Sequence, residues 1–324
     1  MWKRLILKVG FFQEFSNTTM KKLLIIDTFN LLHRAYHALP NSFRDKSGEP
    51  VNAVYGVSSM LITLLAKIKP DYVIAALESK TPTFRVENFT AYKAQRKPME
   101  EDLSIQIPKV LEVLDAFGIK QLQVNGYEAD DVVGTVTKKY SDKNEVVIIS
   151  NDRDLWQLAE GNTMVGLPGG KGDVDWVGGK EAEARLGFKP EKIADYKGLR
   201  GDPSDNIPGV FGIGEKTATR LIQEFGSVEE IYKNIDKVKP DSLREKLLNC
   251  AETAMMSKKL AELILDVPVD VNLDECVYKE FNHGKVKEIL EKYNFKSLLR
   301  RLGFGVDLEV KKKEEPLKEQ LPLF

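Results

Sequence analysis

The chain has 324 residues, 42% of them hydrophobic and 30% charged, with a formal net charge of −1. That length and balance support one large domain or two smaller ones, and exclude a collagen-like or wholly disordered chain. Two distant cysteines (Cys250 and Cys276) argue against a disulfide framework, and no apolar run approaches the roughly 18 residues of a membrane span, so a cytoplasmic chain with no membrane role is expected.

Residues 1–20 read as an N-terminal extension, basic then briefly apolar, without the small-residue cleavage site of a secretory signal. Lys21–Asp27 (KKLLIID) reads as a buried parallel strand, and a helical pattern follows it. Val54–Lys67 reads as a helix, with Val54, Val57, Leu61 and Leu64 among the apolar residues of one face. Tyr72–Glu78 is the second strand. Residues 79–105 are polar and basic, carrying Lys80, Arg85, Lys93, Arg96 and Lys97. Ile107–Phe117 then reads as a helix, Gln121–Val124 as a short strand and Glu128–Tyr140 as a helix opened by acids. Glu145–Ser150 (EVVIIS) is another buried strand, and Asp152–Leu158 begins the next helix. This alternation predicts an α/β unit over 21–195, a parallel sheet with helices on both faces. Beyond about residue 190 the strands stop. Ile193–Leu199, Lys216–Phe225, Val228–Asn234, Asp241–Ala254 and Val286–Arg301 read as helices of a second unit over 196–305, with Gly209, Gly212 and Gly214 marking a turn. Residues 306–324 read as a solvated tail.

The acids fall in a pattern. Asp27 and Glu78 end strands, Glu128, Asp130 and Asp131 open a helix, and Asp152 and Asp154 follow a strand directly. Ligand sites of parallel α/β sheets form beyond the carboxyl ends of the strands, so these four groups converge. Asp202 and Asp205 add a fifth group at i, i+3 spacing. Acids at a helix start are ordinarily caps, and Glu128–Asp131 taken alone is more simply a cap than a ligand set. Convergence makes the difference. Two carboxylates ~4 Å apart repel by roughly 4 kcal/mol at an effective dielectric of ~20. Hard divalent cations with oxygen ligands are the natural compensation. A pair of them can activate a water and stabilise the leaving oxygen of a phosphodiester.

The segments IIDTFNLLHRAYHAL, EPVNAVYG, TPTFR, YKAQR, GYEADDVVG, SNDRDLWQL, GDPSDNIPGV and GIGEKTA occur in that order. Together they resemble the 5′-nuclease (5′-3′ exonuclease) domain of bacterial DNA polymerase I, within the flap-endonuclease superfamily. The resemblance spans about residues 21–303 and implies a PIN-like nuclease core followed by a helical domain with a helix-hairpin DNA-binding motif. It implies that Asp27, Glu128, Asp130, Asp131, Asp152, Asp154, Asp202 and Asp205 hold two or more Mg2+ or Mn2+ ions. Glu78 stands where the family usually has Asp. It keeps the charge and adds a methylene, which alters fine metal geometry.

The resemblance makes residues 79–105 a helical arch for single-stranded DNA. Lys93 and Arg96 match its basic pair, sharing a helix face towards the scissile phosphate. Tyr36 and Tyr92 are candidates for stacking on a base, with core support as the alternative. In GVFGIGEKTATRL, Glu215 breaks the spacing of a phosphate loop. A helix–turn–helix hairpin gripping duplex backbone fits better, through Gly212, Gly214, Lys216 and Thr217. The resemblance adds K+ held by carbonyls of that loop. The expected activity is structure-specific cleavage of DNA at a 5′ flap or 5′ end, in replication and repair, by a monomer near the nucleoid. RNA primer ends are an alternative substrate, and a junction-holding module without turnover is the alternative function. The chain as given is expected to lack polymerase activity. The terminal Gln320–Phe324 (QLPLF) resembles the peptide by which bacterial replication proteins bind the sliding clamp, with Pro322 a departure, and this favours a stand-alone nuclease.

Overall fold

The computed structural model describes residues 20–169 and 173–304. The N-terminal extension, the tail and the Gln320–Phe324 peptide lie outside the described residues. In chain order the elements are β1 (Lys21–Asp27), α1 (Thr28–Ala38), α2 (Asn52–Ile68), β2 (Tyr72–Ala76), α3 (Phe84–Asn88), α4 (Glu101–Ser104), α5 (Ile107–Ala116) and β3 (Lys120–Leu122). Then come α6 (Ala129–Tyr140), β4 (Asn144–Ile149), a 3-10 turn (Asp154–Leu158), β5 (Thr163–Pro168), β6 (Val174–Val177) and α7 (Gly179–Leu186). The rest is helical: α8 (Ile193–Arg200), α9 (Glu215–Phe225), α10 (Val228–Lys233), α11 (Asp241–Asn249), α12 (Ala251–Ala261), α13 (His283–Lys292) and α14 (Lys296–Arg301).

The six-stranded sheet runs β3-β2-β1-β4-β5-β6. All neighbours are parallel except β5 and β6, which are antiparallel. Successive strand residues face opposite sides of a sheet. Leu23, Ile25, Val146 and Ile148 therefore enter one core, with Val132, Val133 and Val136 of α6. Leu24, Ile26, Val147 and Ile149 enter the other, with α1, α2 and α5. The strand order reverses beside β1, so β1 and β4 open a crevice at their carboxyl ends.

Several expectations are corrected. β5 and β6 were not foreseen: Gly166 and Pro168 interrupt β5, and β6 has only four residues. The expected helix Asp241–Ala254 is two helices separated at Cys250, and Val286–Arg301 is two separated at Tyr293–Phe295, where Asn294 adopts a left-handed φ of 61°. The segment 79–105 holds only the short α3 and α4. Residues 90–96 are turns, and Lys93, at φ 55°, is incompatible with a helix there. Lys93 and Arg96 are thus not neighbours on a helix face. They lie on a turn closed by Arg96 N–H donating to the Lys93 carbonyl at 3.0 Å. That turn is docked on the chain at 202–206, where Lys93 N–H donates to the Asp205 carbonyl (2.9 Å) and the Gln95 amide to the Pro203 carbonyl (2.8 Å).

Candidate metal centre and nucleic-acid interface

Asp27 is the last residue of β1 and the N-cap of α1. Its Oδ1 accepts from Asn30 N–H at 3.2 Å and its Oδ2 from the Ser150 hydroxyl at 2.7 Å, so β1 and β4 are joined across the crevice. Glu78 lies two residues beyond β2, and its Oε2 accepts from Ala129 N–H, at the start of α6, at 3.3 Å. Asp130 follows in the first turn of α6, and Asp152 lies just past β4. Burial pushes the Asp27 carboxyl up to about 7, with the charges of Glu78 and Asp152 adding to it. Burial raises Asp130 well above its ordinary value, and the charges of Asp152, Asp27 and Glu78 raise it further. Burial raises Glu78 as well. Asp27 and Asp130 thus each feel the charge of the acids beside them, a repulsion that a cation among them would relieve.

Asp154, Asp202 and Asp205 form a second group, with carboxylate oxygens within 4.8 Å of one another. The Lys197 ammonium, on α8, bridges Asp154 and Asp202. Burial pushes Asp154 up to about 6 against the opposing pull of Lys197. Burial acts to raise Asp202 too, but Lys197 and Ser204 hold it below its ordinary value. A cleft of about 340 Å3 opens over this group, lined by Arg96, Asp152, Asp154, Lys197, Asp202 and Asp205. The donor set is all carboxylate and clustered, and it fits hard divalent cations.

Glu128 stands between the groups, already engaged. Its Oε1 accepts from the Lys93 ammonium at 2.8 Å, and its Oε2 from the Tyr92 hydroxyl (3.2 Å) and Arg85 (3.3 Å). Arg96 reaches Asp205 at 2.5 Å. The expected basic pair therefore does converge on the acids, through turn geometry.

Asp131 departs from its expected role. It is fully buried, and both oxygens are taken by Arg85 at 2.7 and 2.8 Å and by the N–H groups of Glu128 (3.1 Å) and Ile264 (2.9 Å). No carboxylate edge remains for a cation. Tyr36 and Tyr92 are buried too: the Tyr36 hydroxyl donates to Glu100 at 2.5 Å, and Tyr92 to Glu128 and Asp205. Tyr92 thus braces the site, Tyr36 belongs to the core beside it, and neither buried ring offers a face to a base. Arg85, counted above among the basic-segment cations, is 2% exposed.

The turn between α8 and α9 forms the hairpin. Gly209 (φ 65°) packs so closely on Gly201 that a β-carbon there would lie 2.2 Å from the Gly201 nitrogen. Gly212, Gly214 and Lys216 are exposed at the start of α9, and Thr217 is half-buried. Two features of this surface escaped the sequence reading. Phe211, beside Gly212, is 89% exposed, and a β-carbon on Gly212 would lie 3.1 Å from the Lys246 ammonium. Lys197, Ser150 and Arg85 were likewise missed as site residues; their cue, burial beside acids, is not local in sequence.

A family model described as the 5′-3′ exonuclease N-terminal resolvase-like domain matches residues 22–187, and one described as the 5′-3′ exonuclease C-terminal SAM fold matches residues 188–284. Among curated relatives, DNA polymerase I of Caldicellulosiruptor bescii is 41% identical over 288 residues, 88% of this chain and 34% of that protein. DNA polymerase I of Bacillus subtilis is also 41% identical, over 88% of this chain and 33% of its own length. The chain thus spans about a third of the length of these relatives. Among solved structures, the T5 D15 protein co-crystallised with metal ions superposes with a TM-score of 0.61 at 23% identity, over 84% of this chain and all of that one. The catalytic core of Rad2 in complex with DNA substrate gives 0.58 at 16% identity, over 87% of this chain and 92% of that one. These structural likenesses establish a shared fold. No helix among the described residues is long and apolar enough to cross a membrane.

Proposed function

The chain belongs to the 5′-3′ exonuclease family, and from that premise we propose that it is a metal-dependent 5′-nuclease cutting DNA at 5′ flaps or 5′ ends. The observation that carries this reading is the convergence of two carboxylate groups at the carboxyl edge of the sheet, with Lys93 and Arg96 laid across them.

Asp27, Glu78, Asp130 and Asp152 would hold one divalent cation, and Asp154, Asp202 and Asp205 a second, with Glu128 beside both. Bound magnesium or manganese supplies Lewis-acid activation of water and charge stabilisation at the phosphate. The chain's own residues orient and neutralise. Ser150 and the Asn30 N–H fix the Asp27 carboxylate. Lys93 and Arg96 lie where a scissile phosphate would share their charge with Glu128 and Asp205. Gly212, Gly214 and Lys216 present backbone and ammonium to duplex phosphates, which fixes register without reading sequence. Potassium in the hairpin loop, and clamp recruitment through Gln320–Phe324, belong to the same reading and rest on sequence resemblance alone. Deleting residues 319–324 should abolish capture by the clamp in a pull-down.

The test is cleavage of a labelled 5′-flap duplex with magnesium and with a chelator, alongside binding to the same duplex. Magnesium-dependent release of the flap near the junction is expected, and Asp130→Asn should remove it while sparing binding. Tight binding without turnover in either magnesium or manganese would overturn the nuclease reading and leave a junction-holding module.

A further inference from the structure

Arg85 carries a cation that the reaction does not call on, yet its bonding is saturated. A guanidinium has five N–H donors. Nε donates to the Leu260 carbonyl at 2.9 Å. One terminal nitrogen donates to Asp131 Oδ2 (2.7 Å) and Glu128 Oε2 (3.3 Å). The other donates to Asp131 Oδ1 (2.8 Å) and the Glu262 carbonyl (2.6 Å). The backbone of Arg85 belongs to α3, at the root of the basic segment. Its acceptors belong to the start of α6 and the end of α12. The helix α12 packs along α8, which carries Lys197.

We propose that Arg85 is a positioning residue for the acidic site, orienting Glu128 and tying the root of the basic segment and the end of α12 to it. This rests on the nuclease reading above. The Oε2 edge of Glu128 is claimed by Arg85 and Tyr92, which leaves Oε1 as the edge turned to Lys93. Asp131 is the second half of the device. Its own side chain closes the capping box with Glu128, so the orientation of α6 and that of the guanidinium are set together. Stability alone is a weak account of this pair, because two buried charges are often replaceable by apolar groups without loss. The fork geometry is what an apolar pair, or a lysine, cannot reproduce.

Arg85→Lys keeps the charge and loses the fork, so it isolates positioning from electrostatics. Outer partners of metal-holding carboxylates typically contribute ~10–100-fold to metal affinity or activity. Arg85→Lys should therefore lower the single-turnover rate of flap cleavage, and weaken Mn2+ binding measured by calorimetry, within that range. Affinity for the duplex in chelator should stay at the wild-type value, since the hairpin is untouched. Arg85→Gly should lose rate similarly and recover it when guanidinium is added below denaturing concentration. A folded Arg85→Lys protein with wild-type rate and Mn2+ affinity would overturn the proposal, as would failure of guanidinium to restore Arg85→Gly. If wild-type protein does not cleave, the nuclease reading falls by itself. Mn2+ affinity then decides on Arg85, an unchanged value in Arg85→Lys overturning it.

Discussion

Asp27 shows how one side chain serves fold and site together. It caps α1 and accepts from Ser150, so its position is fixed by hydrogen bonds, yet burial and the neighbouring acids make its ionised form costly. Its folded-state pKa, about 7, lies above the ordinary value. The stability it contributes is therefore fully present below the unfolded pKa, near 4, and lost as pH rises through about 7. Asp27→Asn keeps an oxygen for the cap and removes the charge. In chelator it should raise the melting temperature at about pH 8 and give no such gain at about pH 5. A gain of the same size at both pH values would show that repulsion is not what Asp27 contributes. Added magnesium should reverse the advantage, because the wild-type carboxylate then has a cation to hold. The position of Asp27 at a strand end was legible from a run of apolar residues closed by an acid. The diversion of Asp131 was not. Its partner Arg85 lies 46 residues away, and spacing alone does not separate a ligand from a buried ion-pair partner.

At the scale of elements, the hairpin between α8 and α9 combines two kinds of surface. Lys216 and Lys246 offer charge beside the exposed glycines, and Phe211 offers an exposed ring at the tip. Charge contacts to phosphate release counterions and apolar contacts do not. Lys216→Ala should weaken duplex binding and reduce the slope of log affinity against log salt by about 1. Phe211→Ala should weaken binding at every salt concentration and leave that slope unchanged. Equal slopes for all three proteins would remove Lys216 from the phosphate contacts. Most helices were legible here, because amphipathic spacing is strong in α9 and its neighbours. The breaks at Cys250 and Tyr293–Phe295 were not, since no glycine or proline marks them. The expected helical arch failed for a related reason. The polar composition of 79–105 says that the segment is exposed and basic. It does not reveal that Lys93 turns left-handed to lay its ammonium on Glu128.

At the scale of the molecule, the chain does not divide cleanly into a sheet followed by helices. The helices from α8 to α12 pack with the first core, on the α6 side of the sheet, while α13 and α14 return to the opposite face. There Val286, Leu290, Tyr293, Phe295, Leu298 and Leu299 are buried with Leu24, Ile26 and the apolar faces of α2 and α5. The matched family models end at residue 284, just inside α13. A boundary placed there would cut through a core that began at residue 24. Each such side chain contributes roughly 1.5–3 kcal/mol on burial, and a whole domain is stable by only about 5–15 kcal/mol. Losing six of them and exposing their partners is therefore comparable to the entire stability, even after the ordering entropy of the two helices is recovered. A chain ending at residue 282 should lose a cooperative thermal transition or melt far below the full chain. Its acidic site should fail with it, although no acid of that site has been touched. Retention of the full-chain melting temperature and of Mn2+ affinity would mean that α13 and α14 are an appendage, and that the sheet is closed on that face by α1, α2 and α5 alone.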